Sequence, residues 1–380
     1  MTEKLLGKQR VEVPYRNDIV GSFLRPEELK KARKQYENGE ISREALKAVE
    51  DKAIRDLVKK EKSAGLKSVT DGEFRRSWWH LDFMWGIYGV EYKKVDRGYL
   101  FKGEETRAET AGLYGKVKFT GTHPFLEHYK FLKEVADEEG VEARQTIPAP
   151  AQLLLELQRP ENIADVKFIY EDQEDLINDI AKTYNQIIKA FYDLGCRNIQ
   201  LDDCTWGTFC DKSLIKLLGY TEEQVNETLN LFVRLNNLAI KDLPRDLRIT
   251  THVCRGNYHS TYASEGPYDP VAEILFAKEN VDAFYLEYDD ERSGGFEPLK
   301  YIPRDKQVVL GLVSSKIGKL EKKENIIRRI KEASEYLDID QICLSPQCGF
   351  ASTEEGNILT EEEQWKKIKF IKEIAEEIWA

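Results

Sequence analysis

The sequence is poor in cysteine and has no long apolar run. Six cysteines in 380 residues are too few for a disulfide-stabilised scaffold of this length. No apolar run approaches the roughly 18 residues of a membrane-spanning helix, and no secretion signal precedes the charged start at Met1–Lys4. These absences predict a cytoplasmic protein without membrane contacts, whose reduced thiols are available for metal binding or catalysis.

The sequence also has fewer basic than acidic residues. The chain has 57 lysines and arginines against 68 aspartates and glutamates, which gives a formal net charge of −11. Nucleic acids and anionic membranes repel a surface of that sign. The charge balance therefore predicts a freely diffusing protein that binds neither of them.

Eight apolar, β-prone segments alternate with helical tracts. The segments cover residues 18–23, 66–73, 143–148, 197–203, 247–254, 284–287, 307–312 and 342–348, and the main helical tracts cover 25–64, 172–194, 221–240, 270–279, 321–336 and 360–379. This alternation predicts an α/β fold, a (β/α)8 TIM barrel that forms one domain over residues 1–380. A doubly wound open sheet is the alternative, but no glycine fingerprint follows the first segment.

The alternation is interrupted between residues 74 and 140. This stretch contains three of the six tryptophans (Trp78, Trp79 and Trp85) and short β-prone pieces flanked by glycines. We interpret it as a long insertion after the second strand, with a helical hairpin and a β-ribbon over one end of the core. Long loops inside compact domains are usually functional. The tryptophans are more typical of an insertion core than of a stacking platform.

Residues that bind metals lie at the ends of three predicted strands. His252 and Cys254 are two positions apart on an extended segment, so their side chains point the same way. Glu287 and Cys348 end two further strands, and all strand C-termini of a barrel lie on one face. One histidine, two cysteines and one glutamate suit zinc better than magnesium or calcium, which prefer oxygen ligands.

The remaining cysteines divide into two groups. Cys204 and Cys210 lie near the end of the fourth strand and are rival ligands that spacing alone does not exclude. Cys196 and Cys343 fall inside their elements and are interpreted as packing residues.

Acidic residues follow the second and fourth strands on the same face. Glu73 and Asp202 could form a negatively charged pocket that binds an ammonium group. The alternative is that they are solvated or helix-capping carboxylates.

Five ordered motifs resemble the catalytic, C-terminal half of cobalamin-independent methionine synthase. They are Val20–Phe23, Asp71–Arg76, Ile199–Asp202, Thr251–Cys254 and Ser345–Gly349. The resemblance covers nearly the whole chain. It implies a zinc-bearing barrel that transfers a methyl group from a methylated folate of the 5-methyltetrahydrofolate type to the thiol of homocysteine, forming methionine.

The resemblance also implies roles for single residues. The zinc ligands would be His252, Cys254, Glu287 and Cys348, and the amino-acid end of homocysteine would be held by Ser22, Glu73 and Asp202. Two stretches depart from the family pattern on the side of the methyl donor. Residues 149–156 lack the tryptophan that lies beside the pterin, and Gly311–Lys316 lacks the histidine that protonates the departing folate. We predict that Lys316 replaces this histidine as the proton donor, with an ordinary surface lysine as the alternative.

Two other classes of function fit the same residues. One is a different zinc-dependent thiol alkyltransferase on the same barrel, similar to epoxyalkane:coenzyme M transferase. The acid pair disfavours it, because coenzyme M carries a sulfonate rather than an ammonium group. The other is a non-catalytic zinc-binding module.

Overall fold

The computed structural model describes residues 12–379. The strands are β1 (Ser68–Val69), β2 (Tyr88–Lys94), β3 (Leu100–Phe101), β4 (Glu104–Glu105), β5 (Glu109–Lys118), β6 (Glu142–Ala143), β7 (Gln145–Pro148), β8 (Asn198–Asp203), β9 (Arg248–Val253), β10 (Ala283–Glu287), β11 (Gln307–Val313) and β12 (Ile342–Pro346). The α-helices are α1 (Glu27–Glu37), α2 (Arg43–Ser63), α3 (Leu81–Trp85), α4 (Pro124–Glu139), α5 (Pro150–Leu157), α6 (Ile163–Ile169), α7 (Gln173–Asp193), α8 (Thr205–Cys210), α9 (Lys212–Leu217), α10 (Glu222–Ala239), α11 (Asp269–Lys278), α12 (Lys323–Ala333) and α13 (Glu361–Ile378).

A parallel sheet of six strands, β7 to β12 in chain order, forms the centre of the molecule. Its strands are buried on both faces, as expected where helices cover a parallel sheet. The third predicted strand is divided at Arg144: β6 pairs with β1, and β7 pairs with β8. The Arg144 N–H donates to the Val69 carbonyl oxygen at 2.8 Å. This division connects β1 to one edge of the six-stranded sheet.

The first predicted segment, 18–23, joins the opposite edge without forming a regular ladder. The Asp18 N–H donates to the Leu344 carbonyl oxygen at 2.9 Å, on β12. The Phe23 N–H donates to the Gly72 carbonyl oxygen at 3.1 Å, just beyond β1. These hydrogen bonds connect both edges of the six-stranded sheet to the first two segments, as the predicted (β/α)8 barrel requires.

The outer helices agree with the predicted tracts. For example, α7 places Ile180, Tyr184, Ile187 and Phe191 on one buried stripe, with the three- and four-residue spacing of a helix packed on a core. Within residues 12–379, no helix combines the length and the apolar character needed to cross a membrane.

Residues 74–140 contain an antiparallel ribbon of β2 and β5, the small hairpin β3–β4, and the helices α3 and α4. Helix α4 packs against α2 and β6, in the outer layer of the barrel. The hairpin contacts the loop after β9, where the Lys102 N–H donates to the Tyr262 carbonyl oxygen at 2.9 Å. The division into one domain with an insertion at 74–140 stays a prediction, and residues 1–11 and 380 lie outside the described residues.

A buried carboxyl group, that of Glu279, lies between the barrel and its helices. Its Oε1 accepts a hydrogen bond from Asn236 Nδ2 at 2.8 Å, and the same amide donates to Asp203 Oδ2 at 3.0 Å. Burial and the charge of Asp203 raise the pKa of Glu279 from 4.5 to about 8. The folded protein therefore holds this proton at pH values where the unfolded chain has lost it.

This difference predicts that the free energy of unfolding falls as the pH rises from 5 to 8, since the unfolded state then binds fewer protons than the folded state. For Glu279 alone the decrease reaches about 5 kcal/mol at most. Denaturant titrations at pH 5, 7 and 9 should give a flatter profile for Glu279→Gln than for wild type. The exposed Glu335→Gln serves as the control. Parallel profiles for wild type and Glu279→Gln would contradict the assignment.

Candidate active site and metal centre

Four residues converge at the C-terminal ends of β9, β10 and β12, of which β9 and β10 are neighbours and β12 is separated from β10 by β11. His252 lies in β9 and Cys254 just beyond it, Glu287 ends β10, and Cys348 follows β12 by two residues. One ligand atom from each residue lies within 4.8 Å of the other three. All four side chains are buried. The structure thus brings together the four residues that the sequence identified as metal ligands.

The imidazole of His252 has the tautomer that a metal ligand requires. Its Nδ1 lies 3.2 Å from the Tyr285 carbonyl oxygen, which can only accept, so Nδ1 carries the hydrogen. Its Nε2 is buried and has no hydrogen-bond partner among the described residues. A buried, unpartnered lone pair is costly unless a cation binds it. The contact with Tyr285 also fixes the ring orientation, as is usual for metal-binding histidines.

The two thiols lie close together in this buried site. Cys254 Sγ and Cys348 Sγ are 3.7 Å apart. The hydrogen bond from Cys254, together with burial, raises the pKa of Cys348 well above its ordinary value. Two thiolates at this distance repel each other unless a cation lies between them. A nitrogen, two sulfurs and a carboxylate oxygen form a donor set that fits a tetrahedral zinc ion.

The carboxylate of Glu287 is surrounded by positive charge. Although burial acts to raise it, the pKa of Glu287 is lowered because Lys316, Arg292 and Arg255 lie nearby. Glu287 Oε1 accepts the Arg255 N–H at 2.8 Å, and Oε2 lies 3.1 Å from Arg292 Nη2. Glu287 is therefore ionised, as a metal ligand must be.

Glu73 presents a free carboxylate oxygen. Its Oε1 accepts from Thr146 Oγ1 at 3.1 Å and pairs with Arg76 Nη1 at 3.1 Å, whereas its buried Oε2 has no partner among the described residues. The residue has a φ of 62°, in the left-handed region that non-glycine residues seldom adopt. Such strain often occurs at functional sites. Glu73 therefore has an unused acceptor in a rigid, constrained position.

Asp202 and Ser22 line the same cavity as Glu73. Asp202 Oδ1 accepts from Gln200 Nε2 at 2.8 Å, and burial followed by the charge of Glu73 raises the pKa of Asp202. Ser22 Oγ accepts the Ala351 N–H at 3.2 Å, which leaves its hydroxyl hydrogen to donate. A Cβ on Gly349 would lie 1.9 Å from Ser22 Oγ, so glycine is needed where the chain after Cys348 passes this serine.

One cavity of about 380 Å³ connects these groups. It is lined by three residues of the predicted metal group and by the three polar residues: His252, Cys254, Cys348, Ser22, Glu73 and Asp202. Aromatic side chains from the 74–140 segment form another part of the lining, namely Trp78, Trp79, Tyr99 and Phe101. Trp85 packs elsewhere, with its indole N–H donating to the Thr110 carbonyl oxygen at 3.1 Å.

Residues 17–376 match the family described as cobalamin-independent synthase, catalytic domain. The chain belongs to this family. The match covers the barrel, all four residues of the metal group and the three polar residues of the cavity. The family and the fold support a methyltransferase.

Individual relatives match most of the chain. The uncharacterized protein YxjG of Bacillus subtilis (strain 168) is 46% identical over 374 residues, which are 98% of this chain and 96% of that protein. The methionine synthase of Sulfurisphaera tokodaii is 24% identical over 339 residues, 87% of this chain and 84% of that protein. A structural genomics target from Listeria monocytogenes carries the name of a vitamin-B12 independent methionine synthase. Its crystal structure superimposes on this chain with a TM-score of 0.76 and is 39% identical in sequence. The superposition covers 98% of this chain and 100% of that one.

Lys316, which the sequence predicts to be the proton donor, lies in an unexpected position in this member of the family. It is buried, and its ammonium donates to Asn257 Oδ1 at 2.8 Å and to the Gly256 carbonyl oxygen at 3.2 Å. It is not among the described residues that line the cavity. Its nearest contacts therefore belong to the loop after Cys254, and the role of leaving-group acid stays a prediction.

The other cysteines of this synthase-family chain lie outside the four-residue group. Cys204 lines the cavity and interacts with the Cys254 thiol, so it is the nearer of the two rival ligands. Cys210 is buried beside the Arg255 guanidinium. Cys196 packs in the core and donates to the Asn198 carbonyl oxygen at 3.4 Å, and Cys343 is also buried.

Two arginines that the sequence did not identify hold the site in place. Arg292 contacts the Glu287 carboxylate, as described above. Arg25 donates to the Ala351 carbonyl oxygen at 2.6 Å and to the Glu73 carbonyl oxygen at 2.7 Å, so it ties the Glu73 segment to the segment after Cys348. Neither arginine lies in a motif or at a strand end, and only their contacts in the folded chain identify them.

Proposed function

We propose that this protein is a zinc-dependent methyltransferase that moves a methyl group from a donor of the 5-methyltetrahydrofolate type to the thiol of homocysteine, forming methionine. One observation carries the proposal: a single cavity contains both a buried His/Cys/Cys group and an unpartnered carboxylate oxygen, that of Glu73. A thiol-binding end and an ammonium-binding end in one cavity match the two ends of homocysteine. The methionine synthase activity named for the Sulfurisphaera tokodaii relative supports the same substrate.

In this proposal, His252, Cys254, Glu287 and Cys348 hold the zinc ion. Zinc supplies one chemical effect, which is to lower the pKa of a coordinated thiol so that the substrate is a thiolate at neutral pH. Burial of the four residues excludes water from the reacting sulfur and strengthens the local electrostatic interactions.

The other end of homocysteine is bound by Glu73, Asp202 and Ser22. Glu73 Oε2 and the Asp202 carboxylate accept hydrogen bonds from the ammonium group, and the Ser22 hydroxyl donates to the substrate carboxylate. Binding a cation also offsets the negative charge of Glu73, which acts together with burial to raise the pKa of Asp202. These contacts orient the thiol toward the metal-binding residues.

The methyl donor occupies the part of the cavity lined by aromatic residues. Trp79 and Tyr99 provide flat apolar surfaces there, which suit a heteroaromatic ring such as that of a pterin. The partners implied are homocysteine and a methylated folate, with no nucleic acid or membrane partner, and we retain the prediction of a cytoplasmic location.

The decisive experiment measures methionine formation from homocysteine with a panel of methyl donors, with and without a zinc chelator. Chelator-sensitive methionine formation with 5-methyltetrahydrofolate is expected. Methionine from a different donor would retain the thiol methyltransferase and replace the folate. No methionine with any donor, despite bound zinc, would support the non-catalytic module instead.

Lys316→Met distinguishes two roles for Lys316, one in holding the metal group and one as the leaving-group acid. We expect this substitution to weaken zinc retention by about tenfold, the scale seen when an outer partner of a metal ligand is removed, because the ammonium holds the loop after Cys254. Chelator competition followed by metal analysis measures the effect. Intact zinc and homocysteine affinity, together with turnover lowered by ~10²–10⁴-fold, would instead support the leaving-group acid.

A further inference from the structure

The Glu287 carboxylate has partners that do not depend on a metal ion. The Arg255 N–H contacts one oxygen at 2.8 Å, and the Arg292 guanidinium lies 3.1 Å from the other. The Glu287 side chain is fully buried, and that of Arg292 is 7% exposed. A buried charge-assisted hydrogen bond of this kind is among the stronger polar contacts in proteins.

The other three ligands lack such a partner. His252 Nε2 has none among the described residues. Cys254 Sγ accepts the neutral Gly256 N–H at 3.3 Å, and its other neighbours are two thiols, those of Cys348 and Cys204. A thiolate released from the metal at either cysteine would therefore be an uncompensated buried charge, which costs several kcal/mol. Glu287 alone of the four has a guanidinium to receive it.

The position of Glu287 relative to the cavity also distinguishes it from the other three residues of the group. His252, Cys254 and Cys348 line the cavity, whereas Glu287 does not, and its arginine partner is tied on its other side to Asp289 at 3.0 Å. A substrate in the cavity would therefore meet His252, Cys254 and Cys348, whereas Glu287 and Arg292 do not belong to the lining. Glu287 could keep its contact with Arg292 without entering the space that the substrate occupies.

We propose that Arg292, with the Arg255 N–H, forms a second seat for the Glu287 carboxylate, that is, a binding position that does not involve the metal and that would hold the carboxylate if a substrate thiolate replaced it as a zinc ligand. This inference rests on the proposed function. Arg292 is a positioning residue, since it acts through Glu287 and touches neither substrate nor metal. Its role is to make Glu287 the one exchangeable ligand of the four.

The test uses the zinc-loaded protein and two readouts other than turnover. Zinc X-ray absorption counts the sulfur atoms bound to the ion, and calorimetry measures homocysteine affinity. Wild type should gain a third sulfur when homocysteine binds. Arg292→Gln should keep its zinc, but it should bind homocysteine about 10- to 100-fold more weakly, because the released carboxylate loses its cation. It should not gain the third sulfur at a concentration that saturates wild type.

Two further variants make the result specific. Arg292→Lys retains a positive charge and should recover part of the homocysteine affinity. Asp290→Asn removes an exposed partner of Arg292 without touching Glu287, and it should behave as wild type. If Asp290→Asn reproduces the defect of Arg292→Gln, Arg292 acts through its loop and the proposal is wrong.

Three outcomes are decisive. Wild-type affinity and a third sulfur in Arg292→Gln would overturn the second seat and leave the proposed function intact. Loss of zinc from both Arg292→Gln and Arg292→Lys would also overturn it, because Arg292 would then be needed to retain the metal. If wild type itself gains no sulfur on addition of homocysteine, the proposed function fails, and this inference falls with it.

Discussion

Replacing Cys348 with serine is expected to remove zinc from the protein and to lower methionine formation by at least about 100-fold, since even the loss of an outer partner of a metal ligand costs 10- to 100-fold. A serine hydroxyl stays protonated at neutral pH and is a poor zinc ligand compared with a thiolate. Cys254→Ser should behave in the same way, because its sulfur lies 3.7 Å from that of Cys348 in the same group.

Metal analysis of the purified variants measures this effect directly. Cys196→Ser is the matched control, because it alters a buried cysteine that packs in the core away from the metal group. The control should retain about one zinc per chain. Near-stoichiometric zinc in both Cys348→Ser and Cys254→Ser would contradict the assignment and would make Cys204, which lines the same cavity, the alternative ligand.

Glu73→Gln is expected to keep its zinc and to bind homocysteine more weakly by ~1.5–3 kcal/mol, which is roughly 10- to 150-fold. The substitution removes the negative charge while preserving the shape of the side chain. Glu73 Oε2 is buried and has no hydrogen-bond partner among the described residues, since Arg76 pairs with the other oxygen, Oε1. Calorimetric titration of homocysteine into the zinc-loaded protein measures the change.

Glu354→Gln is the control for this experiment. Glu354 is a partly exposed acid that pairs with Arg107 at 2.8 Å and does not line the cavity. It should leave homocysteine affinity unchanged. If Glu73→Gln binds homocysteine as tightly as wild type, Glu73 does not hold the ammonium group, and Asp202 becomes the main candidate.

The fold could be predicted from sequence where local patterns and tertiary packing agree. Helix α7 has a continuous apolar stripe, and its predicted bounds of 172–194 differ from the observed ones by one residue at each end. The first and third strands were harder, because their pairing depends on distant partners. Arg144 divides the third strand, since its backbone bonds to β1 while its side chain reaches Asp18 and the Ile19 carbonyl oxygen inside the barrel.

The candidate site, like the fold, could be predicted from the sequence only in part. The proximity of His252, Cys254, Glu287 and Cys348 could be predicted from the sequence, because all strands of a barrel end on one face. A residue at a strand end is therefore placed on that face, and the four residues do lie together. The cations around Glu287 could not be found in this way. Arg292 lies in a loop five residues beyond its partner, and burial, not sequence position, decides that its charge matters.

The hairpin β3–β4 has an evolutionary consequence. The Phe101 ring packs on Tyr258 with ring centroids 5.4 Å apart, so the aromatic wall of the cavity is held over the barrel by an element absent from the barrel repeat itself. In the proposed function, the acceptor end of the reaction would be built from strand ends and the donor end from the predicted insertion. Changes in the hairpin would then give descendants of this scaffold a different donor preference, while thiol activation would be inherited intact.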